Sequence, residues 1–283
     1  MKKPSVSILM GSYNPRDPIV LRQAIDSIIA QTWTDWELLI CDDGSVEPYA
    51  GYIRNLAALD TRIRCMRSDE NRGLAHALNM CLCHSRGEWI ARMDDDDISE
   101  PDRLEKQVQF LSKNKAFAWV GTQALLFDKN HVWGIAARPA QPSADDYLKF
   151  SPFIHPSVMF RRSVLEQAGG YLVSTVTVRC EDYELFMRLT AAGHHGYNLQ
   201  DILFRYREDP VILHKRSFRN CFFEAVIRFN GFRSLNLLCA KNIPYVVKPL
   251  AVYILARFPR LAQRIRISRV SSIQPLNNPV EED

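Results

Sequence analysis

Four consecutive aspartates, Asp94 to Asp97, are the strongest candidates for chemistry in this sequence. Neighbouring carboxylates disfavour one another's ionisation, so four together are costly to hold without a cation. A hard divalent metal such as Mg²⁺ or Mn²⁺ meets that need, because it binds one or two carboxylates together with phosphate oxygens. Such a metal would neutralise a diphosphate leaving group and act as a Lewis acid at the departing oxygen. The run therefore predicts a metal and diphosphate site.

The alternative is a solvated loop in which Asp97 or Ser99 only caps the following helix, since acidic runs are usually surface features. Spacing alone does not separate the two interpretations. The apolar segment Glu88–Met93, however, has the pattern of a buried strand and leads directly into the aspartates. A buried strand at this point favours the functional interpretation.

Two other polar clusters follow predicted strands in the same way. Val6–Met10 leads into Gly11–Asn14, and Trp36–Cys41 leads into Asp42–Ser45. In open α/β sheets, ligands bind at the carboxyl ends of the strands. We therefore expect the three clusters to lie along one edge of a sheet.

Helical segments alternate with these strands and must position them. Asp17–Pro18 supplies an N-cap followed by proline at the first helical position, and Leu74–Cys83 is helical in pattern. The crossovers leave room only for helices, which predicts an α/β fold with a mainly parallel sheet covered by helices. Ser163–Glu166 has the form of a capping box and Gly169–Gly170 would end that helix. Glu181–Ala192 is predicted to form another helix.

Composition limits the class of protein. With 283 residues, of which 47% are hydrophobic and 24% charged, the chain can bury one core with a small appendage and is not expected to be disordered. The first residues contain no long apolar run, which predicts a cytosolic start followed at once by a strand. A nucleotidyl- or phosphotransferase would be expected to carry a GxxxxGK[ST] loop, and the sequence contains none.

Charge is distributed unevenly along the chain. Residues 211–270 contain twelve Lys/Arg against one acid, Glu224, a balance of +11, so a net charge of +4 leaves −7 for the rest. Such asymmetry predicts regions that face different partners. We expect an α/β domain over 1–210, a basic helical region over 211–270 and a flexible polar tail over 271–283.

The segment 246–270 interleaves apolar residues with Lys248 and five arginines. Its uncharged stretch Pro249–Ala256 has only eight residues, whereas spanning a bilayer takes about twenty. The pattern instead predicts an interfacial helix on anionic lipid. The alternative is a helix packed on the α/β domain with its arginines in water. No nucleic-acid motif or stacking pattern is present, so a nucleic-acid partner is not expected.

Six segments resemble, in order, the motifs of family 2 glycosyltransferases with the GT-A fold. They are VSILMGSYNP, QTWTDWELLICDDGS, NRGLAHALN, GEWIARMDDDDISEPDRLEKQ, HPSVMFRRSVLEQAGGY and CEDYELFMRL. The resemblance runs from about Val6 to about Arg207. It implies that 1–210 is a Rossmann-like GT-A catalytic domain that takes a nucleoside-diphosphate sugar, uses Mn²⁺ or Mg²⁺, and inverts the anomeric carbon.

The resemblance also implies roles for residues near the nucleotide. Ser12 and Tyr13 match the loop that packs against the base, and Asp43 matches the aspartate that hydrogen-bonds uracil in uridine-using members. Arg72 falls in a segment that approaches the base or ribose. These matches imply a UDP-sugar as donor.

In the family's DXD motif the match is Asp94 to Asp96. It makes Asp96 the direct metal ligand, with Asp94 beside it at the metal, and places Asp94 or Asp95 near the ribose and phosphate. The commonest form of the motif has a small residue where this sequence has Asp95. Asp97 would support the site or cap the next helix.

Glu181 and Asp182 match the family's acidic pair at the start of a helix, with Asp182 as general base. Direct displacement requires one carboxylate to take the acceptor hydroxyl's proton. The alternative is that both acids only complement the helix dipole. His155 matches a position near the diphosphate and acceptor, and Arg205 and Arg207 match a basic loop over the diphosphate.

Together these matches predict an inverting, metal-dependent glycosyltransferase. The family and the basic segment imply a saccharide acceptor on a polyprenyl diphosphate, in surface-polysaccharide assembly at the cytoplasmic face of the plasma membrane. The rival from another class is a non-catalytic nucleotide-sugar-binding partner in an assembly complex. The retained Asp182 and acidic run argue against that rival.

Overall fold

A computed structural model of the protein describes residues 4–15, 17–128, 131–208 and 217–255. Its strands are β1 Val6–Ser12, β2 Trp36–Asp42, β3 Ile63–Arg67, β4 Trp89–Arg92, β5 Ile98–Ser99, β6 Trp119–Phe127, β7 Val132–Ala136, β8 Met159–Arg161 and β9 Gly196–Arg207. Its α-helices are α1 Pro18–Ile29, α2 Tyr49–Ala57, α3 Leu74–His84, α4 Arg103–Lys113, α5 Arg162–Gln167, α6 Glu181–Ala191, α7 Phe218–Ser234 and α8 Ile243–Leu255.

The strands form one sheet in the order β3-β2-β1-β4-β8-β6-β9-β5, with β7 paired to β6. The four neighbours β3, β2, β1 and β4 are all parallel, which confirms the prediction for the half that carries the three polar clusters. In the other half β8 runs antiparallel to both β4 and β6, while β6 and β9 are parallel. The α/β class is therefore confirmed, with a mixed second half that the crossovers did not predict.

Both faces of the sheet are buried, and alternation along the strands distributes side chains between them. Ile8 and Leu38 belong to the core cluster that contains α1 and α4, whereas Leu9 and Leu39 belong to the cluster that contains α3 and α6. All four side chains are at most 1% exposed. A strand buried on both faces has a continuous apolar sequence, which is why β1 and β2 could be found from the sequence.

The two predicted helix starts have different outcomes. Asp17 caps α1 by accepting a hydrogen bond from the Ile19 amide at 3.0 Å, as predicted. The capping box at Ser163 is wrong, because β8 passes directly into α5 and the N-cap is Arg161. The Arg162 amide donates to the carbonyl of Glu88 at 3.0 Å, which sets this start at the sheet. Gly169 and the following glycine have φ of 73° and 72° and end the helix, as predicted.

The described part of the basic region packs on the α/β domain. In α7, Arg228 is 5% exposed, pairs with Glu224 at 3.0 Å, and donates to the Leu148 carbonyl at 3.0 Å. None of the described helices has the length and apolar character needed to cross a bilayer. The expected boundary at 210, the segment 256–270 and the tail 271–283 lie outside the described residues.

Candidate donor and transfer site

The three polar clusters meet at one edge of the sheet, as predicted. β2, β1 and β4 are adjacent and parallel, and they end at Asp42, Ser12 and Arg92. The Asp43 amide donates to the Ser12 carbonyl at 2.9 Å, and the Met93 amide donates to the Leu9 carbonyl at 3.1 Å. The backbone thus continues to pair just past the strand ends, which holds the loops side by side.

The first two loops are bonded to each other through Asn14 and Ser45. The Asn14 amide donates to the Ser45 hydroxyl at 2.8 Å, and the Val46 amide donates to the Asn14 side-chain carbonyl at 3.0 Å. Tyr13 lies between Asn14 and Ser12, whose carbonyl is also bonded, and its side chain is 49% exposed. Its ring is therefore accessible to a ligand from a loop whose backbone is fixed.

Asp43 positions the loop that contains Arg72 and Gly73. Its buried carboxylate accepts hydrogen bonds from the amides of Arg72 at 3.1 Å and Gly73 at 2.7 Å. Gly44 permits the close approach: its φ is 78°, and a Cβ there would lie 2.5 Å from the main-chain carbon of Glu70. The predicted uracil contact would share the Asp43 carboxylate with these amides, while the Arg72 side chain is exposed.

Each of the first two aspartates in the acidic run has a partner on another part of the site. Arg92 pairs with Asp94, so Asp94 is held over the end of β4. The Ser12 hydroxyl donates to Oδ2 of Asp95 at 2.6 Å, so Asp95 is held over the end of β1. The structure therefore brings Ser12, Asp94 and Asp95 together.

The last two aspartates are held by β9. The Arg207 amide donates to Oδ1 of Asp97 at 2.7 Å, and the Arg207 guanidinium Nε donates to the Asp96 carbonyl at 2.7 Å. Asp97 is fully buried, whereas Asp96 is exposed on one side. α4 has Asp102 as its N-cap, so the alternative in which Asp97 or Ser99 caps this helix is wrong.

Crowding of the carboxylates shifts their pKa values upward. Burial of its carboxyl group raises the pKa of Asp95 to about 6, in part offset by the Ser12 hydrogen bond. Enclosure by the surrounding protein, followed by repulsion from Asp94 and Asp95, raises the pKa of Asp96 to about 7 even though one side of the residue faces solvent. Burial raises the pKa of Asp97 well above its usual range, with further contributions from Asp94 and Asp96.

These residues fit a divalent cation that shares its coordination with a ligand. The available donors are carboxylate oxygens, which Mg²⁺ and Mn²⁺ prefer, and Oδ2 of buried Asp97 lacks a hydrogen-bond partner. Within the described residues, no group of three or more His, Cys, Asp or Glu side chains is arranged to hold a metal. A cation here would therefore take one or two carboxylates and complete its coordination from phosphate oxygens and water.

Two buried arginines lie beneath the run and were not anticipated. Arg92 and Arg103 are 1% and 0% exposed, and Nη2 of Arg103 donates to the Arg92 carbonyl at 2.7 Å. Arg103 also stacks over the Phe204 ring at 4.9 Å. Their positive charges stabilise the ionised aspartates beside them. The signal in the sequence was Arg92 itself, a charged residue inside the apolar strand β4.

Glu181 and Asp182 occupy the first turn of α6, after the N-cap residue Cys180. Burial raises the pKa of Asp182 to about 6, followed by the effects of Glu181 and, more weakly, Asp94. Burial also raises the pKa of Glu181. Arg179, which precedes the N-cap residue, has φ of 68°, a strained conformation for a residue with a side chain. The position suits both the base and the helix-dipole interpretation.

His155 and the two arginines Arg205 and Arg207 of β9 are held in place by neighbouring groups. His155 is buried and its Nε2 shares a hydrogen bond with the Tyr171 hydroxyl at 2.8 Å. Burial lowers the pKa of His155 well below its usual range, and Arg92 lowers it further, so the ring is neutral. Arg205 and Arg207, expected in a loop, lie in β9, where Arg205 pairs with Glu100 at 2.7 Å.

Comparison with known proteins identifies the class. A mannosyltransferase from Pyrobaculum calidifontis, solved in complex with GDP-Man and Mn²⁺, superposes with a TM-score of 0.59 at 18% identity, covering 96% of this chain and 81% of that one. The fold is that of the GT-A glycosyltransferases. The family model described as glycosyl transferase family 2 matches residues 7–169. The chain belongs to glycosyl transferase family 2.

Two relatives extend the similarity beyond the family model. The Bacillus subtilis protein EpsE, which is named as a glycosyltransferase, is 39% identical over 248 residues, covering 87% of this chain and 88% of EpsE. An Escherichia coli protein is 30% identical over 209 residues, covering 72% of this chain and 74% of the relative. Its name is UDP-Gal:alpha-D-GlcNAc-diphosphoundecaprenol beta-1,3-galactosyltransferase.

Proposed function

We propose that the protein is an inverting, metal-dependent glycosyltransferase that moves a sugar from a UDP-sugar to a saccharide acceptor. The observation that carries this proposal is the convergence of polar loops at the carboxyl edge of the sheet. The acidic run Asp94–Asp97 is hydrogen-bonded to β1 through Ser12 and to β9 through Arg207. Asp94 also contributes to the raised pKa of Asp182, which supports a position of α6 near this run.

On the donor side, Asp96 would hold Mn²⁺ or Mg²⁺, with Asp94 beside it. Bound there, the metal supplies positive charge to the departing diphosphate. Ser12 and Tyr13 form the wall of the nucleotide subsite, and Asp43 and Arg72 form its far side. The fixed positions of these loops orient the donor before any chemistry begins.

On the acceptor side, Asp182 takes the proton from the attacking hydroxyl. A pKa of about 6 leaves it ionised at neutral pH and close enough to neutrality to accept a proton effectively. The reaction is a single displacement: the acceptor oxygen forms the new bond as the bond to the diphosphate breaks on the opposite side of the anomeric carbon. Inversion follows from that geometry. Glu181 supports the base, and neutral His155 with Tyr171 forms the packed layer beneath it.

The UDP donor and the lipid-linked acceptor are supported by two independent points. Asp43 matches the aspartate that hydrogen-bonds uracil in uridine-using members of the family, and the Escherichia coli relative is named for UDP-Gal and for an acceptor on diphosphoundecaprenol. We propose an acceptor saccharide on polyprenyl diphosphate, in surface-polysaccharide assembly. In this proposal, domain 1–210 performs the transfer and region 211–270, including 246–270, meets anionic lipid at the inner face of the plasma membrane.

The rival function is a nucleotide-sugar-binding partner without catalysis. Incubation with a panel of nucleotide sugars, with and without Mn²⁺, separates the two, because the transferase slowly hydrolyses its own donor. Release of UDP from one sugar nucleotide, dependent on the cation, supports the proposal. Donor binding by calorimetry, without release either alone or with saccharide diphosphate lipid acceptors, would establish the rival. Absence of binding to every UDP-sugar would overturn both.

A further inference from the structure

The surface of α7 contains a stripe of phenylalanines that is not used for packing on the domain. Phe218, Phe222 and Phe229 are 54%, 48% and 42% exposed. Their spacing of four and seven residues puts them on one face of a helix with about 3.6 residues per turn. The adjacent face is buried, with Phe232 fully enclosed and Ala225 at 9% exposure. The apolar surface of α7 is therefore wider than its contact with the domain.

The helix α8 repeats this arrangement. Ile243, Val247 and Ile254 have the same spacing and are 42%, 45% and 55% exposed. The two helices meet at one end of this surface, where the Phe218 ring contacts the Tyr253 ring of α8 with centroids 5.6 Å apart. We call the six exposed apolar residues of α7 and α8 the apolar face.

The charges around the apolar face have one sign. Arg219, Arg233, Lys241 and Lys248 are exposed. The single acid in residues 217–255, Glu224, is ion-paired with buried Arg228 and is only 13% exposed. By helical spacing, the first two arginines border the phenylalanines while Glu224 lies on the side of Arg228. The rim of the apolar face is therefore positive.

We propose that the apolar face is a membrane-docking surface, with its phenylalanines in the headgroup layer of an anionic bilayer and Arg219 and Arg233 on lipid phosphates. This inference rests on the proposed lipid-linked acceptor and narrows the expected membrane contact of region 211–270 to the apolar face of α7 and α8. It places the amphipathic surface on helices packed against the catalytic domain. Docking through them would hold the domain at the lipid surface that carries the acceptor.

The positive charge around the apolar face favours anionic lipid over two other partners, the segment 256–270 of the same chain and a second copy of the chain. Residues 256–270 of the same chain carry five arginines and no acid, so they would be repelled by the positive rim. A second copy of the chain would bring an identical positive rim against the first, and like charges across an interface disfavour association. Anionic phosphates satisfy the rim and the headgroup layer accommodates the rings.

The test uses the full chain and sedimentation with vesicles of phosphatidylglycerol and phosphatidylcholine, or of phosphatidylcholine alone. The wild type should bind the anionic vesicles, and Phe222→Ser/Phe229→Ser should weaken that binding at least tenfold. Ile19→Ser is the matched control, since Ile19 is 67% exposed on distant α1, and it should bind as the wild type does. Equal binding by wild type and the double variant, or no binding by the wild type, overturns the proposal.

A second measurement does not depend on the serine variants folding. In Phe229→Trp, brominated phosphatidylglycerol vesicles should quench fluorescence more than in the wild type, and equal quenching would contradict insertion. Sedimentation velocity without lipid tests the second-copy alternative: a dimer that the double variant abolishes would overturn the lipid proposal. UDP-sugar hydrolysis measured on the same samples separates membrane docking from the proposed glycosyltransferase function. Lipid binding without turnover rejects the proposed function alone. Turnover without lipid binding rejects docking alone.

Discussion

The Ser12 hydroxyl donates a 2.6 Å hydrogen bond to Oδ2 of Asp95, which connects the end of β1 to a residue eighty-three positions later in the chain. In the proposed metal motif, Asp95 takes the position that most often has a small residue. Its carboxylate is directed to β1, while Asp94 pairs with Arg92. The extra acid therefore acts as a tie between two loops, and Asp96 has the most exposed carboxylate of the run.

Ser12→Ala should weaken donor binding without removing catalysis. A hydrogen bond to a charged group contributes about 1.5–3 kcal/mol, so its loss should raise the donor KM by roughly tenfold or more. Steady-state kinetics at saturating Mn²⁺ measure this effect. Ser5→Ala is the control, because the Ser5 hydroxyl bonds the Asp35 carbonyl away from the site. An unchanged donor KM would show that the hydrogen bond from Ser12 to Asp95 is not needed for donor binding.

Asp96→Asn should abolish metal-dependent turnover, because it removes the exposed carboxylate of the run. We expect a loss of at least about a hundredfold in kcat/KM, with the Mn²⁺ activation curve flattened. Asp102→Asn is the matched control, as its carboxylate is 43% exposed and pairs with Lys106 outside the site. Wild-type dependence on Mn²⁺ in Asp96→Asn would remove this residue as the ligand.

Asp182→Asn should stop transfer while leaving donor affinity near the wild-type value, measured by calorimetry with UDP-sugar. Burial raises the pKa of Asp182, so its ionised form destabilises the fold at neutral pH and the amide should raise the Tm. Glu184→Gln in the same helical turn loses an ion pair with Arg188 and should lower the Tm while preserving transfer. Equal losses of transfer in both variants would favour the helix-dipole interpretation.

The pH dependence of transfer should follow the ionisation of Asp182, the proposed base. Asp182 acts in its ionised form, and its pKa is raised to about 6, so kcat/KM for the acceptor should fall as the pH drops through that value. Below it the decline should approach tenfold per pH unit. The assay keeps metal and donor saturating at every pH. A profile that stays flat to pH 5 would be incompatible with this assignment.

Arg228→Met should destabilise the attachment of α7. Removing one member of a buried ion pair costs about 3–5 kcal/mol, and this change also removes the hydrogen bond of Arg228 to the Leu148 carbonyl. The partner Glu224 is 13% exposed. Urea unfolding should show a loss of about 3 kcal/mol, and Glu224→Met/Arg228→Met should recover part of it. A double variant less stable than the single one would contradict the loss of the Glu224–Arg228 pair as the cause.

The edge of the sheet that carries the polar loops could be predicted, because the sequence patterns that mark it are local. β1, β2 and β4 are apolar runs that end in polar loops, and Asp17–Pro18 marks a helix start within two residues. Parallel neighbours then place the loops together without further information. The same reasoning failed at Ser163, where a main-chain bond from Arg162 to distant Glu88 sets the start of α5.

The rest of the site depends on contacts between distant parts of the chain. Arg207 meets Asp97 across a separation of 110 residues, and the pairing that brings it there is between β5 and β9. Arg103 lies on the amphipathic helix α4, and a charged residue on such a helix is expected to be exposed. Its burial is compensated by the Arg92 carbonyl, the charge of Asp97 and the Phe204 ring.

The bonds among the loop tips limit how this site can change. Asn14 bonds Ser45, and Asp43 bonds the amides of Arg72 and Gly73. An insertion into any one of these loops would break hydrogen bonds in a neighbouring loop as well, so length variation is penalised at two places. Substitution of exposed side chains such as Tyr13 leaves those bonds intact. New donor preferences should therefore evolve, or be engineered, through point substitutions on loops of constant length.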